Sequence, residues 1–126
     1  MPGIDDCLVR AMAIPGAQSA TLVDYASGLP IAAIGDDRLM DRDEDAAATT
    51  DMVRAVLASP AFAALPAGED IADIIISSTS GYHILVLIRT IFDSQLFLHL
   101  RLDRQRGNIA LAQHRIQRII GELVAP

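Results

Sequence analysis

A chain of 126 residues, 52% of them hydrophobic, is long enough to bury roughly two thirds of the surface its unfolded form exposes and to fold as one domain over residues 1–126. Its ten basic residues are all arginine, so a P-loop lysine, a Schiff base and a lysine general base are excluded at the outset. A net charge of −6 speaks against a phosphate-backbone partner, and no nucleic-acid binding is expected.

The first residues, Met1-Pro2-Gly3-Ile4-Asp5-Asp6, carry acids where a secretory signal needs a basic start, so the expected location is the cytoplasm. Ile4, Cys7, Leu8, Ala11 and Met12 recur at helical spacing, which predicts a short amphipathic helix over 4–13 with Asp5 and Asp6 at its positive end. Cys7 lies on the apolar stripe, and a packed core thiol is favoured over a reactive or metal-binding one. Pro15-Gly16 stops the helix.

Ser19 to Ala26 and Pro30 to Ile34 read as two strands of a hairpin, with Gly28 free to adopt the positive φ of a tight turn. Pro30 suits an edge strand, because its missing N–H then breaks no ladder. The acidic run from Asp36 to Asp45 reads as a solvated connection; it has no EF-hand spacing. From about Asp43 to Ser59 a second helix is expected, with Ala48, Met52, Val53, Val56 and Leu57 on one face and Pro60 as its stop. Phe62, Leu65 and Pro66 are expected to fold back as a short cap before Gly68.

Three strongly apolar runs then form a meander: Ala72 to Ser78, Tyr82 to Arg89, and Gln95 to Leu102. In the third, Leu96, Leu98, Leu100 and Leu102 alternate with Gln95, Phe97, His99 and Arg101. A two-residue turn at Asp93-Ser94 would set residue 88 opposite 99, placing Leu85 and Leu87 with the four leucines and Ile84, Val86 and Ile88 with Phe97 and His99. Both faces are apolar in that register, which asks for helices above and below the sheet. Asp73, the stretch from Ser77 to Gly81 and Arg89 interrupt the apolar region before it reaches the roughly 18 residues of a membrane span, so no membrane insertion is expected. Asn108 is a fitting N-cap for a last helix to about Val124, with Ile109, Ala112, Ile116, Ile119, Ile120 and Leu123 as its buried stripe.

Charge is uneven along this order. Residues 1 to 73 hold 4 Arg and 13 acids, whereas 74 to 126 hold 6 Arg and 3 acids, an asymmetry that serves either solvated faces or the steering of a protein partner. Metal and hydrolytic chemistry find little support. His83 and His99 stand about five positions apart in the register above, His114 lies on the last helix, and neither a His-x-His nor a Cys-x-x-Cys spacing occurs. Ser80 near His83 lacks an orienting acid, so no catalytic residue, cofactor or metal site is expected.

The element order α-β-β-α-β-β-β-α carries particular residues at its junctions. They are Pro15-Gly16-Ala17 before the first strand, Leu22-Val23-Asp24 with Ser27-Gly28-Leu29-Pro30-Ile31-Ala32 across the first hairpin, and Leu98-His99-Leu100-Arg101-Leu102-Asp103-Arg104 followed by Gly107-Asn108-Ile109-Ala110-Leu111-Ala112. In these the chain resembles the bacterial kind of roadblock/dynein light chain domain over nearly its whole length. The resemblance implies an α+β fold with a five-stranded antiparallel sheet in the order 2-1-5-4-3, the first and last helices on one face and the second on the other, as in profilin-like domains. It also implies a homodimer paired through the second helix and third strand, with Ala48, Met52, Val53, Val56, Ile74, Ile75 and Ile76 as the interface. An apolar edge strand without proline independently argues for such a covering. Proteins of this type work beside small Ras-like GTPases as partners, scaffolds or activators, often in sets that include a sensor-kinase-like protein. The expected role is therefore a non-catalytic regulator of a GTPase, with Arg38, Arg42 and Arg54 as conceivable but less favoured finger residues. The alternative is a small-molecule-sensing module, against which stands an aromatic content of 4%.

Overall fold

A computed structural model describes residues 3–35, 41–89 and 95–124. The helix α1 (Ile4–Met12) leads into β1 (Ala17–Asp24) and β2 (Leu29–Gly35), followed by α2 (Arg42–Ala58), a 3-10 turn at Pro66–Gly68, the strands β3 (Asp73–Ser77), β4 (Gly81–Ile88) and β5 (Leu96–Asp103), and α3 (Ile109–Val124). The strands form one antiparallel sheet in the order β2-β1-β5-β4-β3, as the resemblance implied.

Local chemistry sets the boundaries. Asp41 accepts from the backbone N–H groups of Asp43 and Glu44 and so caps α2, while Asn108 accepts from Leu111 N–H and caps α3. The β1–β2 turn takes its positive φ at Gly28, and Asp24 closes it by accepting from Ala26 N–H. Pro30 does sit on an edge strand, beside a register shift at Leu22 and Val23 that leaves Ile31 without a β1 partner. The acidic run divides here: Arg42 to Asp45 are the first turn of α2, and Asp36 to Met40 lie outside the described residues.

Two apolar layers sandwich the sheet. On one face α1 and α3 pack Cys7, Leu8, Ala11, Ala112, Ile116 and Ile119 against the inward residues of β1, β4 and β5. On the other, α2 packs Ala46, Val53 and Leu57 against Val23, Leu85, Leu87 and Phe97. Cys7 is buried, and burial raises its thiol pKa, which keeps it in the neutral form of a core thiol.

The β4–β5 register corrects the expectation. Ile88 stands opposite Leu96 and Leu85 opposite His99, so Ile84, Val86 and Ile88 share a face with the four leucines while Leu85 and Leu87 share one with Phe97 and His99. The turn assumed at Asp93-Ser94 lies outside the described residues; a connection longer than two residues moves the pairing by three positions, and any odd shift exchanges the faces. The chain turns back before Gly68, as expected of Phe62, Leu65 and Pro66, and sets Gly68 against Leu57 of α2, but Phe62 and Leu65 stay 68% and 51% exposed.

Candidate interaction site

The α2 face of the sheet is covered unevenly, and the reason lies in α2 itself. Its buried stripe Ala46, Thr50, Val53 and Leu57 meets the sheet, Met52 and Val56 flank that stripe half-buried, and Ala48 is exposed. Val53 therefore belongs to the protein's own core, with no exposed surface. The expected interface residues thus divide between a helix flank at Ala48, Met52 and Val56 and a sheet edge at β3.

Among the described residues edge strand β3 pairs only with β4, which leaves its outer backbone groups open to a further strand. Strand alternation splits its isoleucines: Ile74 and Ile76 stand opposite Leu85 and His83 on the α2 face, and Ile75 opposite Ile84 on the other. Ile75 and Ile76 remain 39% and 40% exposed, while Ile74 packs at the margin of the α2-side core.

Polar side chains fasten this edge from three directions. Arg89 donates to the carbonyls of Gly68 and Ile71 at the entrance of β3, and Arg104 donates to Ser77 Oγ and the Ser78 carbonyl at its exit, where its guanidinium also lies 5.0 Å from the Tyr82 ring centre. Asp73 accepts from Gln113 and Gln117 of α3. These contacts hold the strand in register with β4, and among the described residues no strand pairs with its outer edge.

Beside this edge lies a polar group that strand alternation alone did not reveal. His83 Nδ1 is 2.9 Å from His99 Nε2, the rings stacked at 5.2 Å between centres, and His99 Nδ1 is 3.9 Å from an Asp45 carboxylate oxygen. The two histidines expected to stand apart are in contact, because the true register puts His83 opposite Arg101, one diagonal step from His99. Burial drives the His99 pKa down to about 3, with the neighbouring His83 and Arg101 adding to the shift. The His83 pKa is lowered too, by burial first and by Arg101 second, against an opposing pull from Asp45. Both rings are neutral at pH 7. Among the described residues no group of three or more His, Cys, Asp or Glu side chains is placed to hold a metal ion.

Of the arginines considered as fingers, Arg54 donates to the Ala26 carbonyl and Arg42 lies exposed in the first turn of α2; Arg38 is outside the described residues. Ser80 bonds to Ser78 Oγ. An open cleft of about 550 Å³ lies between α2 and the 3-10 turn, lined by Tyr25, Arg54, Leu57, Leu65 and Gln95 among others, with Tyr25 its one aromatic wall.

Solved structures share this architecture from end to end. MglB of Myxococcus xanthus superposes with a TM-score of 0.77 over 98% of this chain and 95% of its own, at 16% identity. A roadblock/LC7 domain from Streptomyces avermitilis gives 0.72 over 97% and 95%, at 15% identity. The chain has the roadblock/LC7 fold. The gliding protein MglB of Thermus thermophilus has the same roadblock/LC7 fold with a TM-score of 0.74, over 98% of this chain and 91% of its own at 16% identity. No family model and no curated protein matches the sequence. Such low identity fits a fold whose requirements are an alternation pattern and a few turns. No helix among the described residues is long and apolar enough to cross a membrane.

Proposed function

We propose that this chain is a non-catalytic, homodimeric regulator or scaffold that binds a small Ras-like GTPase in bacterial signalling. The observation that carries the proposal is the open β3 edge, apolar and free of proline, fastened at both ends and flanked by the half-buried Met52 and Val56 of α2. A second copy pairing β3 to β3 and α2 to α2 covers all of these at once and continues the sheet across the two-fold axis. The roadblock/LC7 fold shared with MglB structures, one of them described as having a tetrameric arrangement, supports the same reading.

The GTPase role rests on the family resemblance together with a chemistry that offers little else. His99 is buried and neutral, its partner His83 is half-buried, and Arg54 is engaged with a backbone carbonyl. The test is a pull-down with the whole chain as bait, followed by size-exclusion co-elution with each recovered GTPase in its GDP-bound and GTP-analogue-bound states. Co-elution in one state supports the reading, and failure to bind in every state overturns it. The cleft beside α2 gives the sensing alternative a physical location, and a small molecule retained in native mass spectra would favour it.

A further inference from the structure

The His83–His99 pair is tied by its position to the β3 edge. His83 is the cross-strand partner of Ile76, the exposed isoleucine on the α2 face, and is itself half-buried. Covering Ile76 with a second copy therefore removes water from His83 as well.

The groups facing the pair come from every element around it. Arg101 of β5 stands directly opposite His83, and Asp45 of α2 approaches His99 from above. Ser19 and Thr21 of β1 stand opposite Arg101 and His99, and β3 contributes the uncharged Ile76. The Asp45 carboxylate favours a proton on His99 Nδ1, which leaves Nε2 as a lone pair that accepts from His83 Nδ1–H. His83 Nε2 is then the position that takes the next proton. In a single copy that charge is shared with water along the open side of His83. In a paired copy it is shut in beside Arg101 without water, so pairing and protonation compete.

We propose that the His83–His99 pair is a proton gate on self-association: two copies join through α2 and β3 while both rings are neutral, and a proton taken up on His83 separates them. The gate rests on the reading of α2 and β3 as the self-association face.

Sedimentation equilibrium of the whole chain at about pH 7.5, 6.5 and 5.5, with circular dichroism to confirm the fold at each, tests it. Below the His83 titration each copy gives up one proton on pairing, so the dissociation constant can rise by up to about a hundredfold per pH unit there, and a steady rise from about pH 7.5 to 5.5 is expected. His83→Gln keeps a donor to His99 but cannot titrate, and its dissociation constant stays flat. Arg101→Gln removes the opposing cation and moves the midpoint to higher pH, a shift that a purely structural role does not produce and that decides the matter if His83→Gln fails to fold. A wild-type dimer with a flat dissociation constant, or the same pH dependence in folded His83→Gln, overturns the gate and leaves the dimer standing. A monomer at every pH overturns both.

Discussion

Gly16 and Gly107 meet backbone to backbone: a β-carbon built on Gly16 would stand 2.7 Å from the Gly107 nitrogen. Around them Gly16 accepts from Asp103 N–H and Asp103 accepts from Gly107 N–H, so the end of α1, the end of β5 and the start of α3 close on one point. Gly16 also has a φ of +86°. Gly16→Ala therefore meets a left-handed backbone and a backbone wall together, and a loss of about 2–4 kcal/mol is expected, read as a lower urea midpoint with unchanged slope. Gly3→Ala is the control, with open space around the added carbon and an expected change within about 0.5 kcal/mol.

This contact explains why the fold is legible from scattered residues. Pro15-Gly16-Ala17 and Gly107-Asn108 carry the family resemblance as separate pieces, and they prove to be two sides of one junction. The helices are readable because stripes such as Ala112, Ile116, Ile119 and Ile120 repeat at helical spacing on a buried face. Each strand's own alternation is readable for the same reason. What alternation cannot supply is which face of one strand meets which face of the next, since that depends on the length of the turn. The expected distance between His83 and His99 fails on that ground alone. The division of Val53 from Met52 and Val56 is likewise hidden, because a helix with small or polar residues at Ala46 and Thr50 has no sharp apolar edge in sequence.

Asp73 holds β3 against α3 through Gln113 Nε2 at 2.9 Å and Gln117 Nε2 at 3.0 Å. Hydrogen bonds to a charged acceptor contribute more than neutral ones, and removing the acceptor leaves two amides without it. Asp73→Ala is expected to cost about 1–2 kcal/mol. Amide exchange should accelerate most in β3 and its partners on β4, while the core of β1 and β5 exchanges as before.

Ile76 and Val53 separate assembly from folding. Ile76 is 40% exposed on the edge strand, whereas Val53 is wholly buried on the sheet-facing side of α2. Ile76→Asp should leave the circular dichroism spectrum and urea midpoint nearly unchanged and weaken self-association by at least about tenfold, since in the proposed two-copy seam its carboxylate would be unpaired and desolvated. Val53→Asp places the same charge in the core and should cost more than about 3 kcal/mol in folding itself. A dimer of unchanged affinity in Ile76→Asp would reject β3 as the seam.

His99 sets the acid limb of stability. Its folded pKa is about 3, against about 6.5 for a free imidazole, so below pH 6.5 the unfolded chain binds a proton that the folded chain refuses. Stability therefore falls as pH drops from 6.5 towards 3, by up to about 1.4 kcal/mol per pH unit from this residue alone. His83 acts in the same direction, its pKa also being lowered. The lowered carboxylates Asp70, Asp103 and Glu122 add their own loss only where they titrate, below their ordinary values of 3.8 and 4.5. The interval from pH 6.5 to about 4.5 thus belongs to the histidines. Urea midpoints across that interval should decline in the wild type and decline less in His99→Gln, and equal slopes in the two would show that His99 accepts its proton without loss of the fold.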